Sequence, residues 1–123
     1  MLIVDDDELI VTMLQDFFKG LDYEFITATD GEEALFQCIE NRPDIIVTDI
    51  MIPKLTGIEL IKKLRKIPDF AVTPIIAITA GSQAMQEEAA KAGAHMVLSK
   101  PIRRAVLLKK VDDLLHATPF IPR

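Results

Sequence analysis

Four places along the chain carry side chains that could act together: the acidic run Asp5-Asp6-Asp7, the lone Asp49, Thr79, and the polar stretch Ser99-Lys100-Pro101. Each follows a short apolar run: Leu2-Ile3-Val4, Ile45-Ile46-Val47, Ile75-Ile76-Ala77-Ile78 and Met96-Val97-Leu98, in that order. Carboxylates brought close to one another repel and are costly to ionise together unless a hard divalent cation offsets the repulsion. Magnesium suits that place, because it keeps several waters and takes only one or two protein carboxylates plus phosphate oxygens. Asp49 is then able to attack a phosphoryl group as well as to ligate. Transfer of that kind asks the protein mainly for positioning and for charge on the equatorial oxygens. Lys100, a point charge on a flexible stem, and the Thr79 hydroxyl could supply it, with the small Ala80 leaving room beside them.

Taken singly, each residue has a plainer explanation. Asp7 followed by Glu8 suits the start of a helix, so Asp7 reads first as a cap. Asp49 reads as a loop aspartate, Thr79 as a strand-end hydroxyl bonded to backbone, and Lys100 as a surface lysine before a turn proline. Placed together at the ends of four expected strands, they are hard to explain as independent surface residues. His95, in a loop before a strand, and His116, at a helix C-terminus that favours a cation, receive no chemical role.

The elements that must position these groups are legible in the apolar pattern. The four runs above and Phe25-Ile26-Thr27-Ala28 are short and β-branched, as strands buried on both faces are. Between them, apolar residues recur at three- and four-residue spacing, as in Leu9, Ile10, Met13, Leu14, Phe17 and Phe18, which marks amphipathic helices. Gly20 follows the first helix, Asp30-Gly31 opens the second and Pro43 follows it, Thr56-Gly57 opens the third, and Gly93 follows the fourth. The last helix is expected over about Arg103 to His116. Strict alternation of strand and helix predicts a (βα)5 chain, a doubly wound parallel five-stranded sheet covered on both faces. Ligands of such sheets sit beyond the carboxyl ends of the strands, where the crossover direction reverses. The segment Ser82 to Ala92 is weakly apolar and is the expected mobile helix.

Composition bounds the rest. The 123 residues are half apolar and about a quarter charged, the balance of one soluble domain able to bury roughly two-thirds of its unfolded surface. No apolar run approaches the roughly 20 residues of a membrane helix, and no basic-then-apolar leader is present, so a cytoplasmic site is expected. The net charge of −5 opposes phosphate backbones, and the densest basic group, Lys62, Lys63, Arg65 and Lys66, reads as a solvated helix face, so no direct nucleic-acid contact is expected. Cys38 is the single cysteine and is expected to pack. Residues 1–117 read as the domain and 118–123, with Pro119 and Pro122, as a tail or linker stub. The short run before Asp5 suggests a trimmed N-terminus and a fraying first strand.

Taken together, the Asp5-Asp6 pair after Leu2-Ile3-Val4, Asp49 with Pro53 and Gly57 behind it, Thr79-Ala80 after Pro74-Ile75-Ile76, and Lys100-Pro101 resemble the receiver domain of two-component response regulators over essentially the whole chain. The resemblance implies a flavodoxin-like strand order 2-1-3-4-5. It implies that Asp49 is the phosphoacceptor, that Asp6 and Asp49 ligate Mg²⁺ directly, that Asp5 does so mainly through water, and that Met51 offers its backbone carbonyl. It implies that Thr79 and Lys100 form the switch pair and that Lys100-Pro101 is joined by a cis peptide aiming Lys100. Phosphorylation from a histidine kinase or histidine phosphotransfer protein would then change the surface of the fourth helix, last strand and last helix, the face offered to an unknown downstream effector and open to homodimerisation. Val97 stands where many relatives carry an aromatic switch residue. Met51 and Gly81, at positions that influence hydrolysis in the family, imply slow loss of the phosphoryl group.

Rival readings make different demands. An aspartate-nucleophile phosphatase would use Asp5 with Asp7 as its acid, and would need a substrate cap that no insertion here can build. A flavodoxin-type binding module would want a Gly- or Ser/Thr-rich phosphate loop where Asp5-Asp6-Asp7 stands. A degenerate receiver acting only as an interaction module would lack modification, although every phosphorylation residue is present. The leading expectation is a signalling domain that phosphorylates itself and is not a turnover enzyme.

Overall fold

A computed structural model of the chain describes residues 1–116, so the tail expected over 118–123 lies outside the described residues. Five strands, β1 (Leu2–Val4), β2 (Ile26–Ala28), β3 (Ile46–Asp49), β4 (Ile75–Thr79) and β5 (Met96–Ser99), alternate with five helices, α1 (Glu8–Phe17), α2 (Gly31–Asn41), α3 (Gly57–Arg65), α4 (Gln83–Ala92) and α5 (Arg104–His116). All pairings are parallel, and the strand order is β2-β1-β3-β4-β5. The expected fold class and strand order are both observed.

Because successive side chains of a strand point to opposite faces, each strand feeds two cores. Leu2, Val4, Ile46, Ile75 and Ala77 face α2, α3 and α4, meeting Ala34, Cys38, Leu60, Ile61, Leu64 and Ala89. Ile3, Val47, Ile76 and Ile78 face α1 and α5, meeting Val11, Leu14, Phe18, Leu107 and Val111. Burying an Ile or Leu side chain contributes about 1.5–3 kcal/mol, so these two layers dominate stability. Cys38 is fully buried and burial pushes its thiol up to about 12, which fits packing rather than reactivity.

β1 does not fray. It lies inside the sheet between β2 and β3, and the Met1 amine donates to the Glu24 carbonyl at 2.8 Å. The helix starts are capped as their sequences imply: Asp7 accepts from Leu9 N–H at 2.9 Å, Asp30 from Glu33 N–H at 2.7 Å, and Thr56 with Glu59 forms a reciprocal capping box. One element escapes the periodic reading, a 3₁₀ turn at Pro68–Phe70 that buries Phe70.

Candidate functional site

The chain turns back on itself at β1: β2 lies on one side of it and β3 on the other. The crevice opened by that reversal lies beyond the carboxyl ends of β1 and β3, where Asp5 and Asp49 stand. Both carboxylates are buried, Asp5 being 2% and Asp49 4% exposed. A buried carboxylate must find donors. Asp5 accepts from Asp7 N–H at 2.9 Å, and one Asp49 oxygen, Oδ1, accepts from Met51 N–H at 2.8 Å.

The other Asp49 oxygen faces the lysine that ends β5. Lys100 Nζ donates to Asp49 Oδ2 at 2.5 Å and stands 4.0 Å from Asp5 Oδ2. The Asp49 hydrogen bond, followed by the charges of Asp49 and Asp5, holds the Lys100 ammonium above its usual range. Burial, reinforced by the Asp49 charge, pushes the Asp5 carboxyl up to about 6. Lys100-Pro101 is a cis peptide.

Thr79 ends β4 and is fully buried, and Lys100 N–H donates to its carbonyl at 2.9 Å. Its hydroxyl accepts from Gly81 N–H at 2.8 Å, which leaves the hydroxyl proton able to donate. At the site one close approach requires glycine, at Gly57, and a second, at Gly81, is eased by it. A Cβ on Gly57 would lie 2.5 Å from the Asp49 carbonyl oxygen, so α3 can start against the Asp49 loop only without one. A Cβ on Gly81 would lie 2.4 Å from Met85 Sδ and 3.0 Å from Thr79 Oγ1.

Of the residues singled out in the sequence, Asp5, Asp49 and Lys100 meet directly, and Met51 and Thr79 border them. Asp6 is exposed at the rim, and Asp7 is occupied as the α1 cap. Among the described residues no three His, Cys, Asp or Glu side chains gather into a ready metal cage. Two buried carboxylates against a single ammonium are nevertheless a donor set that fits magnesium, which completes its shell with water. Pattern reading missed two connections: Gln86 Nε2 donates to Ser99 Oγ at 2.9 Å, and Arg65 reaches Phe70, Thr73 and Gly93 carbonyls rather than solvent. No periodicity marks either one, since both join residues on different elements.

The family model for the response regulator receiver domain matches residues 1–112. The chain belongs to that family. This receiver domain is 42% identical over 116 residues to the alkaline phosphatase synthesis transcriptional regulatory protein PhoP of Bacillus subtilis, covering 94% of this chain and 48% of PhoP. It thus spans about half the length of PhoP. It is 36% identical to the polar-differentiation response regulator DivK of Brucella anthropi, with 93% of this chain and 94% of DivK covered. Among solved structures it resembles the receiver domain of sensor histidine kinase PA1611 from Pseudomonas aeruginosa PAO1, whose active site cleft coordinates a magnesium ion, at 29% identity and a TM-score of 0.86, covering 93% of this chain and 94% of that one. The receiver domain is a signalling module of two-component response regulators, a family in which phosphorylation on aspartate is typical.

Proposed function

We propose that Asp49 is the phosphoacceptor of this receiver domain and takes a phosphoryl group from a phosphohistidine on a histidine kinase or histidine phosphotransfer protein. The observation that carries the assignment is the buried Asp49 carboxylate held between Met51 N–H and Lys100 Nζ, beside a second buried carboxylate. An Asp49 oxygen bonds to phosphorus as the donor's P–N bond breaks; that electron pair stays on the imidazole nitrogen, which takes a proton from water. Lys100 moves its ammonium from the carboxylate to a phosphoryl oxygen, and the Thr79 hydroxyl donates to another. Asp5, Asp6, Asp49 and the Met51 carbonyl would hold Mg²⁺. Bound there, the ion would neutralise charge on the phosphoryl oxygens.

The product is a signal and not a released metabolite, so the domain modifies itself and later loses the group by hydrolysis. The domain acts in the cytoplasm, and its downstream effector meets the surface formed by α4, β5 and α5. Residues 1–117 constitute the receiver. The phosphatase reading is disfavoured because Asp7, the acid it needs, accepts from Leu9 N–H as a helix cap. The test is transfer from a phosphohistidine-bearing domain: label should leave the donor and appear on the chain as a hydroxylamine-labile acyl phosphate. Label retained on the donor with magnesium present would leave a degenerate interaction module.

A further inference from the structure

The two ends of α4 are held by different kinds of contact. At its C-terminal end Gly93 adopts φ +123°, and its carbonyl accepts from Arg65 Nε at 3.0 Å and Nη2 at 2.8 Å. The same guanidinium donates to the Phe70 and Thr73 carbonyls at 2.7 and 2.8 Å and contacts His95 Nδ1 at 3.0 Å. A planar cation with several donors spread over three carbonyls and a ring nitrogen fixes that end to α3 and to the loop before β4. A Cβ on Gly93 would lie 2.7 Å from Arg65 Cγ, so the turn is closed tightly over the arginine.

The N-terminal end is held far more lightly. Ala89 is the only buried residue of α4. Near the site the helix relies on its Ser82 cap, whose hydroxyl accepts from Met85 N–H at 3.4 Å, on Met85, which lies over Gly81 and packs against the core, and on the exposed Gln86–Ser99 bond. Ser99 pairs with Thr79 across β4 and β5 and immediately precedes Lys100, whose N–H is bonded to the Thr79 carbonyl. Ser99 thus joins the α4 contact to the backbone beside Lys100, and a backbone displacement of Lys100 would be passed on to Ser99.

We propose that α4 is a lever, pinned at Gly93 by Arg65 and latched to the phosphorylation site by the Gln86–Ser99 hydrogen bond, and that a phosphoryl group on Asp49 opens the latch. This rests on the receiver reading above and names the contact that carries its signal to α4. Gln86 and Ser99 are positioning residues and touch no reacting atom.

Hydrogen exchange of the full chain, with and without a small phosphodonor and magnesium, tests the latch while intact mass reports the adduct. In the wild type, phosphorylation should speed exchange over Gln83 to Ala89 and leave Gly93 to Met96 unchanged. Gln86→Ala and Ser99→Ala should already show that faster exchange without phosphodonor, by about two- to tenfold, the size set by one hydrogen bond. Their further response to phosphorylation should be small although the adduct forms. Ser99→Thr, which keeps the hydroxyl, should behave as wild type. A full wild-type response in phosphorylated Gln86→Ala, or equal loosening at Gly93 to Met96, would overturn the lever. Loss of the adduct in Gln86→Ala alone would overturn it too, by placing Gln86 in the transfer. No adduct on the wild type would instead overturn the receiver reading beneath it.

Discussion

Lys100 Nζ lies 2.5 Å from Asp49 Oδ2, so the cation at the end of β5 neutralises the carboxylate at the end of β3 across the intervening strand β4. Replacing Lys100 by Met leaves two buried carboxylates facing each other without a cation. Lys100→Met should lower stability by about 1–3 kcal/mol at neutral pH, and by less near pH 5, where Asp5 takes up a proton. It should also slow phosphoryl transfer by at least about tenfold. Urea unfolding at the two pH values and the rate of adduct formation measure both effects.

Asp5 gives the pH dependence a definite sign. Its folded-state value is raised from 3.8 to about 6, so between those values the folded chain binds more protons than the unfolded one. Stability without divalent ions should therefore fall as pH rises through that window, by on the order of 3 kcal/mol. Asp5→Asn should flatten this part of the profile and be more stable than the wild type at pH 7. Added magnesium, which binds the ionised form, should stabilise the wild type more at pH 7 than at pH 5. Thermal unfolding across pH, with chelator and with magnesium, checks the slope and its reversal.

Gly57→Ala probes the loop that presents Asp49. The new methyl group would meet the Asp49 carbonyl oxygen at 2.5 Å, and backbone must move to admit it. A loss of about 1–3 kcal/mol is expected, with slower phosphorylation because Asp49 is displaced. Unchanged denaturant midpoint and unchanged adduct rate would show that the loop yields without cost.

Phosphoryl lifetime follows from what borders the site. Met51 is 66% exposed and ends in a thioether, a weak acceptor, and Gly81 has no side chain, so neither can orient an attacking water. The adduct should persist for minutes or longer in magnesium. Decay within seconds, followed by intact mass after phosphodonor removal, would contradict this.

The sheet and the placing of the strand-end residues at one edge were legible because both follow from local pattern. Runs such as Ile75-Ile76-Ala77-Ile78 read as strands buried on both faces by their shortness and β-branched content, and in a parallel sheet their ends share one edge, which brings Asp5, Asp49, Thr79 and Lys100 together. Asp7, Asp30 and Thr56 announced their helices because a cap acts within one turn. Arg65 was not legible: in sequence it belongs to a basic cluster whose other members, Lys62, Lys63 and Lys66, are exposed, but its own guanidinium folds under the α4–β5 turn. His95 escaped for the same reason, since its Nδ1 meets Arg65 and Ile75 N–H, partners 30 and 20 residues away. The 3₁₀ turn at Pro68–Phe70 is too short to show a period.

The most direct measurement is the intact mass of the chain after treatment with a small phosphodonor and magnesium, beside Asp49→Asn and a chelator control. One phosphoryl group should appear on the wild type, require magnesium, and be absent from Asp49→Asn. An adduct that survives Asp49→Asn, or none on the wild type, would contradict the assignment of Asp49 as the phosphoacceptor.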